Sequence, residues 1–574
     1  MARKITRESN PELRPLKIAV LSTFTAPMMA APLVVEMAQA GFRAEFRFGP
    51  WGVLEQAAGD PEHEVFAGGV DAVVLFGLLR DFLPRAFAEF AAASAVQKEE
   101  WLLAIEARCL GLFRMIRSHS PARILVANFA SLHGPQAGLA DASADFSEAT
   151  FLARANERLA TAARAVAGVN ILDFAGVVAR EGARAVFDAR LASMARMPFT
   201  PAGQAAIARR VARTVRAAFS SPIKVLALDL DNTLWGGILG EDGPGGIALG
   251  ADYPGNVFLE FQTWLKALKQ RGILLALASK NNEPEVRALF ETHPDSVLRW
   301  ADFSATRVNW NPKSQSLQEM AQELGLGLDS FAFFDDNPVE RDEVRRFLPQ
   351  VHVAEAPASP LQYLEALEES GLFDRLTITA EDAQRGEFYR QEQARRDVEA
   401  TAGSREDFLR SLEMRAEVGL VGATTLPRVA QLSERTNQFN LTTRRRTAAD
   451  ISATLERGGF GLWLRLADRF GDHGLVGAAL VEKEAGDTWV IDEFLLSCRV
   501  IGREAEQLLV RELGRAAEAR GATRLVADFI PTAKNQPAAG FLSSAGFSQR
   551  ADGRWERSLP VLLAGEPFIE VQAA

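Results

Sequence analysis

Two carboxylates, Asp229 and Asp231, follow one apolar stretch of the chain and are separated by a single residue. The stretch, residues 225–228, reads Val-Leu-Ala-Leu and is typical of a strand buried on both faces of a parallel sheet. Open α/β sheets bind ligands at the carboxyl ends of their strands. Because two carboxylates this close repel each other, the pair predicts a cation between them, most simply Mg²⁺. The alternative is an ordinary Asp-Asn turn after a strand.

Further polar residues follow later apolar runs in a fixed order. Ser279 closes a second run, and Lys313 comes next, in the sequence Asn-Trp-Asn-Pro-Lys. Asp335 and Asp336 close a third run. Together with Asp229-Leu-Asp-Asn-Thr, this order resembles the haloacid dehalogenase (HAD) superfamily of phosphotransferases.

The HAD resemblance implies a covalent phosphoryl-transfer route. Asp229 would attack phosphorus and form an aspartyl-phosphate. Asp231 would give a proton to the leaving oxygen and then take one from water. Lys313 would hold phosphoryl oxygens and offset the charge of the nucleophile. The implied metal ligands are Asp229, Asp231, Asp335 and Asp336, and the implied substrate contacts of this segment are Thr233, Ser279, Lys280, Asn281 and Lys313.

The surroundings of these motifs predict an open site. A glycine-rich stretch, 235–247, predicts a tight flap or hairpin beside the carboxylates. The segments between the motifs leave no room for a large cap domain, so a bulky substrate, including one carried by another protein, is expected to fit. Glu340 and Arg341 follow the acidic pair, and an exposed helix start is preferred for them over a supporting role. The predicted helices are 258–270, 283–292 and 314–324.

The first 220 residues predict a separate doubly wound domain. Apolar runs such as 72–76 alternate with helical patterns such as 96–118 and 201–219. The layout resembles SGNH-type hydrolases, with Ser22 after the first strand. Because the Gly-Asp-Ser block and the Asp-x-x-His of that family are absent, a docking or structural role is expected rather than hydrolysis.

The last third of the chain carries two unusual polar stretches. The first, 428–444, combines amides, hydroxyls and cations, and predicts ligand recognition, with a polar surface loop as the alternative. In the second, a strand runs into Gly502 and a helix follows, an arrangement that binds anions. It resembles the GNAT acyltransferase fold, but Glu504 would repel a pyrophosphate, so ordinary coenzyme A binding is not expected, and a carrier-bound phosphopantetheine arm stays open as an alternative. The expected contacts are Asn437, Gln438, Asn440, Arg499, Arg503, Lys534 and Asn535.

Cys498 is one of two cysteines in the chain and lies in the second stretch. A free cysteine is most often a small buried apolar residue. Arg499, Arg503 and the start of a helix would instead lower its pKa and make it a nucleophile. His473 is the candidate base, although a single histidine in a loop is more often structural.

Four motifs together resemble the FkbH-like family, in which a HAD-type protein is fused to a GNAT-like region in polyketide biosynthesis. The resemblance implies a phosphatase and glyceryl transferase that takes 1,3-bisphosphoglycerate and loads its glyceryl group onto an acyl carrier protein thiol. Mg²⁺ and the phosphopantetheine arm of the carrier are the implied cofactors. Two alternatives stay open: a HAD phosphatase acting on another small phosphometabolite or a phosphoprotein, and a docking module without catalysis. The motifs begin at Asp229 (Asp-Leu-Asp-Asn-Thr-Leu-Trp-Gly-Gly), Thr436 (Thr-Asn-Gln-Phe-Asn-Leu), Ser497 (Ser-Cys-Arg-Val-Ile-Gly-Arg) and Pro531 (Pro-Thr-Ala-Lys-Asn).

The expected fold class is α/β, in three domains joined by one helix. The chain has 574 residues, of which 48% are apolar and 24% charged, as in soluble globular proteins. A net charge of −10 argues against a nucleic-acid partner, and no apolar run is long enough for a membrane span. Two cysteines suit a reducing compartment, so a cytoplasmic location is expected. The domains are an SGNH-like α/β domain at 1–220, a HAD-like Rossmannoid domain without a large cap at 221–370, a connecting helix at 371–401 and a GNAT-like α+β domain at 402–574.

Overall fold

The computed structural model describes residues 13–378, 391, 395, 398–399, 402–436, 438–532, 534–561 and 568–573. The chain divides into two compact units, Met1–Ser220 with Asp374–Leu376, and Ser221–Phe373 with Thr377–Ala574. Most of the predicted connecting helix at 371–401 lies outside the described residues. In the described part of the chain, no helix is both long enough and apolar enough to cross a membrane.

The first unit is built on one parallel sheet of five strands, in the order β2-β1-β3-β4-β5. The strands are β1 (Arg14–Ser22), β2 (Phe42–Phe48), β3 (Ala72–Phe76), β4 (Arg123–Ala127) and β5 (Val169–Leu172). The helices are α1 (Ala30–Gln39), α2 (Leu54–Gly59), α3 (Leu79–Phe82), α4 (Pro84–Glu89), α5 (Ala95–Arg117), α6 (Glu148–Arg164), α7 (Phe174–Glu181), α8 (Ala183–Val186), α9 (Ala189–Ala195) and α10 (Pro201–Phe219).

Both faces of this sheet are covered, which explains its unbroken apolar strands. Ala72, Val74 and Phe76 of β3 belong to one buried cluster, whereas Val73 and Leu75 belong to another. Strands alternating with helices therefore produce the doubly wound arrangement that the sequence predicts.

The SGNH-like assignment of the first unit stays a prediction. Ser22, at the end of β1, is buried, and its hydroxyl donates a hydrogen bond to the carbonyl oxygen of Phe24 at 2.7 Å. This bond directs the hydroxyl toward the main chain.

In the second unit, residues 221–373 form a parallel sheet in the order β10-β9-β6-β7-β8. The central strand is the apolar run ahead of Asp229, and all four of its residues are buried. The strands are β6 (Val225–Leu228), β7 (Leu274–Ser279), β8 (Phe303–Val308), β9 (Phe331–Phe334) and β10 (His352–Val353). The helices are α11 (Leu239–Asp242), α12 (Gly255–Gln270), α13 (Glu283–Thr292), α14 (Lys313–Leu324), α15 (Pro338–Phe347) and α16 (Tyr363–Glu369).

Residues 402–573 form a mixed sheet in the order β17-β18-β16-β15-β14-β13-β11-β19, with β12 paired to β15. The strands are β11 (Met414–Leu420), β12 (Phe439–Asn440), β13 (Phe460–Asp468), β14 (Gly471–Ala485), β15 (Thr488–Leu496), β16 (Arg524–Ala527), β17 (Ser548–Gln549), β18 (Trp555–Ser558) and β19 (Ile569–Ala573). The helices are α17 (Arg405–Ser411), α18 (Leu426–Arg435), α19 (Ala448–Glu456), α20 (Ala505–Glu518) and α21 (Phe541–Ser544).

Strand β15 changes partner along its length. Residues 488–491 pair in parallel with β16, whereas Leu495 and Leu496 pair with the two-residue strand β12. The chain then passes through a short 3-10 helix, Cys498–Val500, before α20 begins. A strand followed by a turn and a helix is the arrangement that the sequence predicts around Gly502, and the structure adds the parallel pairing of β15 with β16.

Candidate active site

Parallel pairing brings the predicted phosphoryl-transfer residues to one edge of the central sheet. Strand β6 lies between β7 and β9, and Leu228 is in register with Leu277 and Phe334. The residues that follow these positions therefore emerge side by side, and the amide of Asp229 donates to the carbonyl oxygen of Phe334 at 3.1 Å. Ser279, the last residue of β7, is buried at the same edge.

Asp229, Asp335 and Asp336 form a cluster of carboxylates. Each offers one oxygen, and these oxygens all lie within 4.8 Å of one another. Burial, together with the charge of Asp229, raises the pKa of Asp335 to about 7, and the same causes raise the pKa of Asp336. Clustered carboxylate oxygens are the donors that hard divalent cations prefer, so these three residues fit a Mg²⁺ ion.

Lys313 supplies a positive charge to this cluster. Its ammonium lies 2.8 Å from Oδ1 of Asp229 and also donates to Oδ2 of Asp335. Burial disfavours the charged form, but the two carboxylates outweigh it and raise the pKa of Lys313. Because Lys313 is the first residue of α14, the helix start fixes its position beside the strand ends.

Asp231 is held separately from the three clustered carboxylates. Its Oδ1 accepts hydrogen bonds from the indole of Trp235 at 2.9 Å and from the amide of Leu239 at 3.0 Å. Its Oδ2 accepts from the side-chain amide of Asn281 at 2.8 Å. Three donors fix the orientation of the carboxylate, as a group that exchanges protons at a defined point requires. A metal-ligating role for the Asp231 carboxylate stays a prediction.

The predicted glycine-rich flap is present as a hairpin beside Asp231. Gly236 and Ala248 exchange two backbone hydrogen bonds, of 3.0 and 2.8 Å. Gly237 has a φ of +95° and its amide donates to Oδ1 of Asn232 at 3.0 Å, a conformation that disfavours a side chain. Since Leu239 lies within the flap and bonds to Asp231, the flap also positions the predicted acid.

The other predicted contacts of this segment, Thr233 and Lys280, lie close to the carboxylate cluster or to residues that follow it. Thr233 is fully buried and its hydroxyl lies 3.4 Å from Oδ1 of Asp336. Lys280 is partly exposed and pairs with Glu340 at 2.6 Å. The expectation of an exposed helix start is wrong for Arg341, which is buried. Its guanidinium donates to the carbonyl oxygens of Asp335 and Asp336, at 2.7 and 2.8 Å.

Gln262 was not predicted from the sequence, because an amide in a helix has no distinctive pattern. It is fully buried on α12, and its Nε2 donates to the carbonyl oxygen of Leu234 at 2.9 Å. Its Oε1 accepts from the amides of Val297 and Leu298, each at 3.1 Å. Gln262 thus ties the base of the flap to the segment that precedes β8.

In the C-terminal part, His473 belongs to a buried ionic network centred on Asp468. Asp468 accepts two hydrogen bonds from Arg395, at 2.6 and 2.7 Å, and lies 3.0 Å from Nε2 of His473. The guanidinium of Arg503 lies 3.3 Å from the same imidazole nitrogen. Burial would raise the pKa of Asp468, but the hydrogen bonds from His473 and Arg395 outweigh it and hold the pKa below its ordinary value.

These contacts give His473 a positioning role at the turn before α20. Burial, reinforced by Arg395 and Arg503, lowers the pKa of His473 even though Asp468 acts in the opposite direction. Its Nε2 lies beside the carboxylate of Asp468 and the guanidinium of Arg503, so His473 is tied to a side chain of the segment just before α20. That His473 acts as a base toward Cys498 stays a prediction.

Two predicted amide contacts, Asn440 and Asn535, organise the loops around β12. Asn440 Oδ1 accepts from the amides of Thr442 and Thr443, at 3.1 and 2.8 Å. Asn535 Nδ2 donates to the carbonyl oxygens of Asn440 and Ile530, at 3.0 and 2.9 Å. Both side chains are fully buried, so their bonds fix loop geometry.

The remaining predicted contacts of this part differ in exposure. Gln438 is exposed, and Asn437 lies outside the described residues. Arg499 donates from Nε to the hydroxyl of Ser497 at 3.1 Å. Lys534 is exposed and its ammonium lies 3.7 Å from a carboxylate oxygen of Asp329, in the central part.

Glu493 on β15 is a buried carboxyl that was not predicted. It accepts a hydrogen bond from the hydroxyl of Ser433, and its Oε2 has no hydrogen-bond partner among the described residues. Burial raises its pKa from 4.5 to about 7. The folded state therefore binds more protons than the unfolded chain between those two values, and stability falls as the pH rises through that window.

Glu493→Gln should remove this pH dependence, because the amide keeps the shape and carries no charge. Between about pH 5 and pH 8 we expect the wild type to lose up to about 3 kcal/mol of unfolding free energy relative to the variant. Urea unfolding at the two pH values measures the difference. The exposed Glu484→Gln is the control and should follow the wild type. Parallel pH profiles for wild type and Glu493→Gln would contradict the prediction.

The chain is similar to a solved phosphatase structure. The crystal structure of the N-terminal part of protein BF1531 from Bacteroides fragilis, containing a phosphatase domain complexed with Mg, is 27% identical with a TM-score of 0.57. The match covers 66% of this chain and 98% of that chain. Since residues 221–373 are a smaller share of the chain than this, the likeness extends beyond the central sheet. The chain therefore contains a phosphatase-like α/β domain.

Acetyltransferase structures match a shorter part of the chain. The GNAT domain of S. lividans PAT is 18% identical, with a TM-score of 0.21, over 25% of this chain and 89% of that chain. The GNAT-family N-acetyltransferase YhbS from Escherichia coli, in complex with CoA, is 16% identical, with a TM-score of 0.20, over 25% and 82%. No family model matches the chain, and no curated protein matches it in sequence.

Proposed function

We propose that this protein is a Mg²⁺-dependent HAD-type phosphatase coupled to acyl transfer, of the FkbH-like kind. It dephosphorylates 1,3-bisphosphoglycerate and loads the glyceryl group onto an acyl carrier protein thiol. The observation that carries the proposal is the cluster of Asp229, Asp335 and Asp336, in which Lys313 is paired with the two buried members, Asp229 and Asp335. The likeness to a phosphatase domain complexed with Mg supports the same reading.

In the phosphatase step, the Asp229 carboxylate attacks phosphorus and the bond from phosphorus to the ester oxygen breaks. Asp231, oriented by Trp235 and Asn281, gives its proton to that oxygen. Water then attacks the aspartyl-phosphate, Asp231 takes a proton from it, and inorganic phosphate leaves with Asp229 restored. The ammonium of Lys313, which lies 2.8 Å from Asp229, offsets the charge of the phosphoryl oxygens.

The metal would be held by Asp229, Asp335 and Asp336. A bound Mg²⁺ neutralises charge on the phosphoryl group. Thr233 orients the Asp336 carboxylate through its hydroxyl. Arg341 holds the main chain of Asp335 and Asp336 by donating to their carbonyl oxygens.

In the acyl-transfer step, a thiolate attacks the carbonyl carbon of the acyl phosphate and the bond to the phosphate oxygen breaks. The products are a thioester and inorganic phosphate, so no further activation is needed. Cys498 on this chain is the proposed first acceptor, and the pantetheine thiol of the carrier takes the acyl group from it. The parallel pair β15 and β16, with the turn that follows, supports a GNAT-like acyl-transfer fold.

The direct test is intact-mass measurement of an acyl carrier protein with its pantetheine arm, after incubation with this protein, Mg²⁺ and 1,3-bisphosphoglycerate. We expect the carrier to gain a glyceryl group as phosphate is released. Phosphate release without any gain on the carrier would favour a phosphatase of another small phosphometabolite or a phosphoprotein. If neither a loaded carrier nor released phosphate is detected, the result would favour a docking module.

Cys498→Ala should lower the rate of carrier loading by about 100-fold or more, because the covalent acceptor is lost. The measurement is the same mass experiment, followed over time. Cys109→Ala is the matched control: burial raises the pKa of the Cys109 thiol to about 12, so this cysteine is unreactive and its loss should not change loading. An unchanged loading rate in Cys498→Ala would establish direct transfer to the carrier instead.

A further inference from the structure

The backbone turn that carries Asp231 is held by side chains from two helices of the central domain. The carbonyl oxygen of Asn232 accepts a hydrogen bond from the hydroxyl of Tyr363, on α16, at 3.2 Å. The carbonyl oxygen of Leu234 accepts one from Nε2 of Gln262, on α12, at 2.9 Å. We call Gln262 and Tyr363 the turn anchors.

Both turn anchors place polar groups inside an apolar core. Tyr363 is 3% exposed, and its ring packs edge-on against Phe261 and Phe334, with centroids 5.8 and 5.1 Å apart. Phenylalanine would make the same ring contacts, so the hydroxyl contributes through its bond to Asn232. Gln262 is fully buried, and all its polar atoms are bonded to backbone groups. Burial of a hydroxyl or an amide is unfavourable unless such bonds compensate it, so both side chains are committed to the positions that they hold.

Each turn anchor is connected to Asp231 through one intervening residue. The peptide group held by Gln262 leads directly into Trp235, whose indole donates to Oδ1 of Asp231 at 2.9 Å. The other anchor, Tyr363, holds Asn232, which directly follows Asp231. Asn232 has a φ of +54°, in the left-handed region, where a residue other than glycine stays only when its surroundings hold it. Loss of either anchor would therefore release the backbone that orients the carboxyl group.

We propose that Gln262 and Tyr363 are positioning residues that aim the Asp231 carboxyl at the leaving oxygen of an alkyl phosphate. The inference rests on the proposed function, in which Asp231 gives its proton to the ester oxygen as the bond from phosphorus to that oxygen breaks. An alkoxide leaves slowly without this proton, whereas an aryl oxygen leaves without it. Displacing the turn by about 1 Å would therefore slow the cleavage of alkyl phosphates and spare aryl phosphates. The turn anchors thus select the class of phosphate ester that the site can cleave.

The test compares the kcat/KM of phosphate release from two esters, 3-phosphoglycerate and p-nitrophenyl phosphate. This parameter reports the steps up to the first departure of a product, and so the step in which the ester oxygen leaves. Tyr363→Phe should lower it by about 10-fold for 3-phosphoglycerate and by no more than about two-fold for p-nitrophenyl phosphate. Tyr253→Phe removes a hydroxyl from a residue that is 74% exposed and should change neither value.

Gln262→Glu tests the other anchor with a change that pH can reverse. An ionised carboxylate cannot donate to the carbonyl oxygen of Leu234, so at about pH 8 we expect a loss of about 100-fold with 3-phosphoglycerate and little change with p-nitrophenyl phosphate. A protonated carboxyl can donate, so lowering the pH should restore the rate with 3-phosphoglycerate relative to the wild type at the same pH. Gln270→Glu, at an exposed position of the same helix, is the matched control and should show no such recovery.

Asp231→Asn is the reference for complete loss of the acid and should show the same selectivity, with a loss of about 10²–10⁴-fold for 3-phosphoglycerate. Thermal unfolding checks that each variant is folded at the assay temperature. A loss in the anchor variants that is equal for the two esters, or absent for 3-phosphoglycerate, would overturn the inference. Equal losses for the two esters in Asp231→Asn, or a wild type that releases phosphate from neither ester, would instead overturn the proposed function.

Discussion

Asp229→Asn is expected to lower phosphate release by about 10⁴-fold, the scale of loss when an active-site nucleophile is removed. The amide keeps the shape of the side chain but cannot attack phosphorus. It also removes one of three neighbouring negative charges, so the fold should not be weakened. Phosphate release at saturating Mg²⁺, together with thermal unfolding, separates loss of chemistry from loss of structure.

The control for this variant is Asp342→Asn, on the same domain. The Asp342 side chain is 75% exposed on α15 and pairs with Arg345, whose side chain is 36% exposed. Its substitution should leave turnover unchanged. Full turnover in Asp229→Asn would exclude an aspartyl-phosphate and, with it, the covalent route.

Asp468→Asn is expected to destabilise the protein by about 3–5 kcal/mol, because it removes a buried carboxylate that is paired with two buried guanidinium groups. Arg395 and Arg503 are both buried, and Asp468 is the carboxylate that they share with His473. The amide cannot balance two positive charges in this environment. The shift in the urea midpoint measures the effect.

The matched control is Asp472→Asn, four residues away on β14. Asp472 is about half exposed and pairs with Arg465, itself about half exposed. An exposed ion pair contributes about 0–1 kcal/mol, so this variant should stay near the wild type. Similar small effects for the two variants would mean that the network around Asp468 is not needed for stability.

The central strands of the sheets are predictable from the sequence, whereas the edge strands β2 and β8 are not. Strand β6 is buried on both faces and shows as an unbroken apolar run. Strands β2 and β8 each lie at an edge of their sheet, and their sequences, Phe-Arg-Ala-Glu-Phe-Arg-Phe and Phe-Ser-Ala-Thr-Arg-Val, alternate or mix polar and apolar residues. Such segments do not differ clearly from loops or short helices.

The residues that carry the proposed chemistry are predictable from the sequence, but the buried residues that hydrogen-bond to functional residues are not. Asp229, Lys313 and Asp335 stand out because each follows a recognisable run or turn. The ion-pair partners of Asp468 do not stand out in the sequence. Arg395, for example, is 73 positions away and contacts Asp468 only in the folded chain. The burial of Arg341 and Glu493 is likewise decided by packing, since neither residue type is often buried.

The positive charge of Lys313 bears on whether this domain can fold before it binds a metal ion. By compensating Asp229 and Asp335, it lets a pocket of crowded acids form before any ion arrives. We therefore expect this domain to fold without magnesium, in contrast to small metal-nucleated domains that stay unfolded until loaded. Under the proposed function, scarcity of the ion would then stop turnover reversibly while the domain stays folded.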